Sequence, residues 1–338
     1  MIRTTLAVTA LALLAACGDG QPFPDGTETP TNGTTPETDP GIDNGGATPP
    51  LPGTASPSPD RGIVRFEASA ADGSSLIEDV SYDAANDTFT VDGLGFDGAN
   101  VYSRLDGPLR TLGPARVFAA DERTPDSVTN TPITQFVPYR AIYVVSRNQE
   151  GDEPRTSLAV VRTGAYVGYG FGGFVYQRNG GVVLPSTGQA QFTGPYAGMR
   201  VFEGRGGLEY TTGDMLLQID FEDFNANDAV FGQLRNRTVF NERGEPILEL
   251  PDAGWRVVEG TQTLSENGEI SGEMFSTFVN EQGALEEGET GTFSGILSGD
   301  LTTRPGGEVV GVIVLEGEDP RTEGVTVQET GGAVLYRD

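Results

Sequence analysis

The chain contains no histidine, no lysine and only one cysteine, Cys17, in 338 residues. Each absence removes a class of chemistry. Without histidine there is no Ser-His-Asp or Cys-His nucleophile, no imidazole base working near neutral pH, and no histidine-ligated zinc or haem. Without lysine there is no Schiff base and no phosphate-loop cation. A lone cysteine makes no disulfide within the chain and no thiolate metal cluster. Carboxylate-only hydrolysis and oxygen-ligated calcium survive. Among 49 Asp and Glu residues, no spacing singles out a pair, so the sequence nominates no catalytic group, cofactor site or metal ligand.

Positive charge is scarce too. All 21 basic residues are arginine, and the formal net charge is −28 at pH 7. Such a surface repels nucleic acid and anionic lipid, which excludes nucleic acid as a partner. It favours solubility and suits divalent cations or basic proteins. A compositional bias of a whole proteome gives the same picture, because net charge speaks to solubility before it speaks to partners.

Long apolar runs are absent except near the start. Met1-Ile2-Arg3 is a short positive segment, and Leu6 to Leu14 is apolar throughout but for Thr9. That run is about half the roughly 20 residues a membrane-spanning helix needs, and it fits the core of a secretory signal. It leads into Leu14-Ala15-Ala16-Cys17. The order resembles the lipobox of bacterial lipoproteins, which implies removal of residues 1–16, lipidation of the Cys17 sulfur and acylation of the new N-terminus, for example by palmitate. Several acyl chains hold stably where one alone is marginal. Gly18 follows the cysteine, with Asp19 next. By the same resemblance this implies an outer-membrane address, on the periplasmic face or the cell surface, with membrane contact through the anchor only.

Residues 17–61 carry Pro36, Pro40, Pro49, Pro50, Pro52, Pro57 and Pro59 among Gly, Thr and Asp, and almost no apolar side chains. Nothing there repays the entropy of ordering, so a disordered tether is expected. Roughly forty flexible residues reach roughly 35 Å, enough to lift a domain clear of lipid.

From Gly62 the pattern turns to period two, with turn residues every eight to twelve positions, which predicts an all-β fold. Leu76, Glu78, Val80 and Tyr82 alternate with Ser75, Ile77, Asp79 and Ser81; a turn over Asp83–Asp87 follows, then a returning strand. Met215, Leu217, Ile219 and Phe221 share one face, with Gln218, Asp220 and Glu222 on the other. Val309 to Leu315 is too apolar to be half-solvated and predicts a strand covered on both sides. Gly194, Gly232, Gly272, Gly295 and Gly311 fall inside predicted strands. Glycine there marks a bend, a bulge or close packing, which suits a small closed barrel. Eight to ten strands are expected after Val182. Asn179-Gly180-Gly181 is the expected boundary between a smaller β subdomain, residues 62–180, and the barrel, residues 181–338. One continuous sandwich is the alternative.

The C-terminal half resembles the β-barrel domain of transferrin-binding protein B and its relatives among bacterial surface lipoproteins. Leu184-Pro-Ser-Thr-Gly-Gln-Ala-Gln-Phe-Thr-Gly194 is similar to the family's opening strand, "LPxxGxAxYxG". Leu216 to Phe221 precedes the glycine-containing run Phe231 to Arg237. Gly291-Thr-Phe-Ser-Gly295, Gly307 to Leu315 and a closing Glu329 to Leu335 follow in order. The resemblance implies an eight-stranded antiparallel barrel, a flanking handle-like β subdomain, an envelope lipoprotein and a binding role. Two features depart from the family. There is room for one lobe only, and Leu297-Ser-Gly-Asp-Leu301 stands where an aromatic-Gly-Pro stretch is usual. No contact residue for a host protein carries over.

Three motifs invite other readings. Gly168-Tyr-Gly170-Phe-Gly-Gly173 satisfies G-x-G-x-x-G, but a dinucleotide site needs a helix after it, and Phe174 to Arg178 reads as a strand. Tyr166, Tyr169, Phe171, Phe174 and Tyr176 form either an exposed aromatic patch or core. Asp220 to Asp228 gathers oxygen ligands without EF-hand spacing, which favours an ordinary turn. Three functions follow: a binding module for a protein or exported ligand, a structural or assembly factor of the envelope, and a carboxylate-only hydrolase. The first expects exposed apolar or aromatic loops far from the tether, the second a uniformly polar surface. The anchor is directly testable. Cys17→Ala is expected to abolish incorporation of a palmitate analogue and release the chain from membranes; continued labelling and sedimentation of the variant would refute lipidation at Cys17.

Overall fold

The computed structural model describes residues 51–338, except 69–76, 78, 93–100, 121–122, 126–131, 135–138, 165–168, 223–228, 257–262 and 281. The expected signal, Cys17 and the tether to residue 50 lie outside the described residues, as do Leu76, Glu78, Tyr166 and Gly168. Among the described residues one 3-10 turn, Gly107–Arg110, is the only helical segment; all other regular structure is strand. None of the described helical structure is long and apolar enough to cross a membrane.

The first sheet is built from β1 (Ile63–Phe66), β2 (Asp79–Asp83), β3 (Thr88–Asp92), β4 (Val101–Arg104), β5 (Ala115–Ala120), β6 (Tyr139–Val145), β7 (Thr156–Arg162) and β8 (Gly172–Arg178). Their order is β1-β8-β7-β6-β5-β4-β3-β2, with Thr111–Leu112 added against β5. β1 and β2 are the outer strands and do not pair, so the sheet curls without closing. The Asp83–Asp87 turn forms as expected: the Asp83 carboxylate accepts from the Ala85 and Asn86 amides at 2.9 and 3.3 Å.

The second sheet closes. It contains β9 (Gln189–Glu203), β10 (Leu208–Asp220), β11 (Val230–Phe240), β12 (Ala253–Arg256), β13 (Glu269–Val279), β14 (Leu285–Asp300), β15 (Glu308–Glu318) and β16 (Thr326–Arg337). Successive strands pair antiparallel, and β16 returns to β9, from Phe192↔Arg337 to Glu203↔Thr326. The result is an eight-stranded up-and-down barrel. Two short strands join it: Pro246–Leu250 lies against β11, and Val182–Val183 runs parallel to Gly299–Asp300. The subdomain expected to be smaller has as many strands as the barrel, but they are shorter.

Three apolar layers explain this arrangement. The barrel interior takes Phe192, Tyr196, Leu217, Trp255, Phe293 and Ile313, among others. Met215, Leu217, Ile219 and Phe221 all face this core, as their spacing predicts. The outer wall of the barrel presents Met199, Val201, Tyr210, Val310 and Val312 to Val117, Ile142, Leu158 and Phe174 of the first sheet. β15 therefore sends Val309, Ile313 and Leu315 inward while Val310 and Val312 face outward onto that sheet. The apolar run is double-sided because both faces of the strand are covered. The third layer, on the far face of the first sheet, is aromatic: Phe89 stacks on Phe118 with centroids 5.5 Å apart and meets Tyr102 edge-on.

All five glycines expected inside barrel strands are there, and close packing is the reason at the clearest of them. A Cβ on Gly272 would lie 1.9 Å from the Trp255 ring, and one on Gly311 would lie 2.4 Å from the Phe293 ring. Glycine makes room for large side chains in a narrow bore.

Buried polar contacts tie the two sheets together. Glu308, fully buried, accepts from Ser146 Oγ at 2.8 Å, Thr156 Oγ1 at 2.7 Å and Asn148 Nδ2 at 2.5 Å. Arg65 meets Glu269 at 2.6 Å. Arg178, at the end of β8, donates to four backbone carbonyls: Ser58 and Arg61 before the first sheet, and Asn267 and Leu297 in the barrel half. With carbonyl dipoles in place of a paired carboxylate, burial lowers its pKa to about 10, partly offset by Glu269.

These contacts correct the end of the expected tether. Gly53 bridges Arg65, the Thr54 amide donates to Val64 O at 3.0 Å, the Val182 amide donates to Pro59 O at 2.7 Å, and Leu51 lies against the inter-sheet core. Residues 51–61 belong to the fold. They hold on by backbone hydrogen bonds, which need no apolar side chains and so leave no hydropathy signal. A chain beginning at Gly62 strips Arg178 of two carbonyls and is expected to be about 1–3 kcal/mol less stable than one beginning at Leu51, measured by denaturant melts. Equal stability would show that the contacts of residues 51–61 are idle.

Candidate functional site

The barrel has two unlike ends. β9, β11, β13 and β15 all run toward the end where Glu203, Phe240, Val279 and Glu318 lie, called here the upper end. The linker enters at the lower end, where Arg65 meets Glu269 at the start of β13.

The upper bore is filled by charge. Arg237, fully buried, holds Glu289 through two bonds at 2.5 and 2.9 Å and Glu329 at 2.9 Å. Arg200 Nε lies 3.5 Å from Glu329, and its Nη1 lies 3.4 Å from Glu209. Tyr196 donates to the other Glu329 oxygen at 3.0 Å. At the rim, Arg205 and Arg321 each pair with both Glu209 and Asp319, at 2.8–3.2 Å. Four arginines thus face four carboxylates. Residues 196, 200, 209, 289 and 329 take inward positions by period two, whereas Arg237 turns inward only because a bulge at Asn236, φ 54°, reverses the phase after Leu234.

Burial works against the charge on Arg237, but Glu329 and Glu289 outweigh it and push its pKa up. Burial likewise opposes ionisation of Glu289, and the bonds from Arg237 prevail and hold its carboxyl below the usual range. Asp319 behaves the same way under Arg321. Burial, then Glu329, keeps the Tyr196 phenol well above its ordinary value. Among the described residues, the carboxyls that the fold shifts, namely Asp83, Asp220, Glu289, Asp300 and Asp319, all move down. A general acid for glycoside cleavage requires an upward shift. The cluster is a charge-balanced plug.

Above the plug stands a projecting hairpin. Thr277 to Val279 pair only with Leu285 to Glu287, because β13 meets β12 only up to Ser276, and β14 meets β15 only from Thr290. Its turn is fixed by Asn280, whose side-chain oxygen accepts from the Gln282 and Ala284 amides at 3.0 and 2.8 Å. Gly283 supplies the left-handed residue at φ 81°. Val279 and Leu285 face each other across the tip at 67% and 70% exposure, the highest among the large apolar side chains described, with Phe278 beside them. Exposed Glu273, Glu286 and Glu287 flank the finger. A second hairpin at the same end repeats the turn, with Asn241 Oδ1 bonded to the Arg243 and Glu245 amides and Ile247 exposed on its return strand.

Sequence inspection missed these hairpins. The available signal was the repeated turn, Asn241-Glu-Arg-Gly244 and Asn280-Glu-Gln-Gly283, with apolar residues just outside it. The tempting motifs resolve otherwise. Gly170 and Gly172 lead into strand β8, not a helix, and a Cβ at Gly170 would strike Thr163 O at 2.0 Å, so that run serves close chain packing. Phe174 and Tyr176 are buried between the sheets, Tyr169 packs on the same core and Phe171 on the aromatic face. Of the two alternatives, core is the one that these four aromatics meet, and Tyr166 lies outside the described residues. In the acidic segment, Asp220 accepts from Gln189 and the Glu222 amide, and Phe221 is buried. Asp223, Asn225, Asn227 and Asp228 lie outside the described residues. No metal-ligand cluster exists among the described residues.

The geometry defines a class: a closed eight-stranded barrel with a half-barrel sheet on its wall and a charged plug in one mouth. No protein-family model matches the chain, and no curated protein does. Solved structures similar to it include a double mutant of transferrin-binding protein B, a vaccine antigen from Haemophilus parasuis Hp5 (11% identity, TM-score 0.34, covering 78% of this chain and 45% of that one). Another is an intact transferrin-binding protein B with N and C lobes (11%, TM-score 0.31, 82% and 53%). A third is a surface lipoprotein (10%, TM-score 0.29, 83% and 100%). The chain spans about half the length of the two transferrin-binding proteins. At these identities and scores the likeness assigns no partner and no activity.

The plug yields a stability prediction. Glu329→Ala leaves Arg200 and Arg237 buried without their shared carboxylate and is expected to cost about 3–5 kcal/mol. Exchanging Arg200, Arg237, Glu289 and Glu329 together for Met, Met, Leu and Leu, with Tyr196→Phe, is expected to cost much less, because Glu209 keeps Arg205 and Arg321 and no buried charge is stranded. Native Glu289 and Asp319 titrate below their ordinary values of 4.5 and 3.8. Their contribution is therefore complete above that range and lost as pH falls through the depressed native values. Melts of wild type between pH 7 and about 2 should show this acid loss, and a wild type equally stable at both ends would contradict it.

Proposed function

We propose that the chain is a lipid-anchored envelope module, held at the outer membrane through Cys17, that captures a protein partner on the upper end of its barrel and turns over no substrate. The observation that carries this is the finger. Its tip exposes the two most solvent-accessible large apolar side chains described, beside a turn in which Asn280 accepts two backbone amides. Large exposed apolar side chains in a preorganised setting are what interfaces use. Glu273 and Glu287 already pair with Arg256, and Glu286 accepts from Asn280, so the tip itself calls for an apolar socket, and the net charge of −28 disfavours an anionic lipid surface. The tip is also far from the linker. Ten residue steps along β13 lead from Glu269 to Val279, about 33 Å at the rise of a strand. Residues 62–180 then act as the handle-like support and residues 181–338 as the barrel that carries the loops.

Absence of turnover is read from the missing nucleophiles and bases and from the downward direction of the shifted carboxyls. An envelope assembly factor is the second reading; the exposed tip fits it less well than a uniformly polar surface would.

A photo-cross-linker at Gln282, presented on live cells, is expected to capture one discrete protein. Val279→Asp with Leu285→Asp should lower that capture at least about tenfold, equivalent to 1.4 kcal/mol. Equal capture by the double variant sinks the assignment, as does turnover of a sugar, ester or phosphate substrate that a single Asp or Glu substitution abolishes.

A further inference from the structure

At the lower end, the outer wall of the barrel carries a row of side chains set across four strands. Gln191 of β9 stands opposite Gln218 of β10, and Gln218 opposite Phe231 of β11. Asp338, just past β16, closes the other side through its amide on Gln191 O at 3.1 Å. Three strand spacings make the row about 14 Å long. A hydrogen-bonded chain fixes its polarity: Gln218 Nε2 donates to Gln191 Oε1 at 3.0 Å, and Gln191 Nε2 donates to Asp338 Oδ2 at 2.8 Å. Thr193 Oγ1 holds the other Asp338 oxygen at 2.8 Å. The chain therefore ends on Gln218, whose side-chain oxygen accepts no bond among the described residues, beside the Phe231 ring at 39% exposure. One step lower, Gln189 Nε2 donates to Asp220 Oδ2 at 2.5 Å. Gln189, Gln191, Gln218, Asp220, Phe231 and Arg304 line a shallow groove of about 470 Å³.

We propose that this groove binds a neutral oligosaccharide. Sugar rings offer paired hydroxyls that donate and accept at once, which planar amides and a carboxylate answer in kind. Their C–H faces lie against an exposed aromatic ring. The amides here are already oriented by their own chain, so binding fixes few rotamers. The floor and walls are too polar for a lipid or an apolar small molecule, whose sites are enclosed and mostly apolar. A net charge of −28 opposes a polyanionic glycan. The groove lies at the other end of the barrel from the finger and does not rest on the protein-capture reading.

The test uses the purified full chain and saturation-transfer NMR with maltohexaose, cellohexaose and chitohexaose as probes. At least one is expected to receive saturation at its ring protons. Phe231→Ala and Gln218→Ala should each weaken that binding about tenfold with the melting temperature unchanged, because both side chains point to solvent. Val101→Ser, an exposed change on the first sheet, should bind as wild type. Silence from all three sugars at about 1 mM, the weak limit of specific binding, overturns the proposal, and so does wild-type affinity in both groove variants.

Discussion

The return of β16 to β9 is the contact on which the rest of this structure depends. Closure satisfies the backbone groups of both strands along most of their length, and it turns a meander with two exposed edge strands into a wall whose first and last strands are paired. A closed wall has an inside and an outside, and here both are used. The inside becomes a core of aromatic and aliphatic side chains. The outside of β9, β10, β15 and β16 becomes the floor on which the first sheet lies. Without closure the double-sided apolar strand β15 would leave one face in water.

The narrow bore that closure creates sets its own terms. Large rings fit only where glycine stands opposite, as at Gly272 under Trp255. Where rings give way to charge, every arginine must find a carboxylate. The four-and-four arrangement of Arg200, Arg205, Arg237 and Arg321 with Glu209, Glu289, Asp319 and Glu329 meets this condition. Such a plug contributes little to net stability compared with an apolar filling, yet it is costly to break. It also blocks the mouth, which moves any recognition to the rim and the outer wall. Both surfaces singled out here, the apolar finger above and the amide row below, are on the outside for that reason.

The arginine-only composition suits this architecture. Guanidinium groups bridge two carboxylates at once and stay charged when buried, which lysine does less well. Arg237 does so between Glu289 and Glu329, and Arg178 binds four carbonyls from three segments of chain.

The sequence by itself determined the all-β class, the apolar face of β10, the two-sided covering of β15, the strand glycines and the exclusion of histidine, lysine and thiol chemistry. These follow from local rules: side chains alternate along a strand whatever its partners, and a missing residue type is missing in every fold. Only the tertiary structure decided the rest. Residues 51–61 are held by carbonyls and amides, which composition does not report. Phe174 and Tyr176 could be surface or core until the barrel wall covered them. Glu289 and Glu329 looked like any of 49 acids until closure brought them to one arginine. Val279 and Leu285 drew no notice in the sequence, and they stand exposed because the neighbouring strands on both sides end a few residues short. Period fixes which way a side chain points; only the partner strand decides what it meets there.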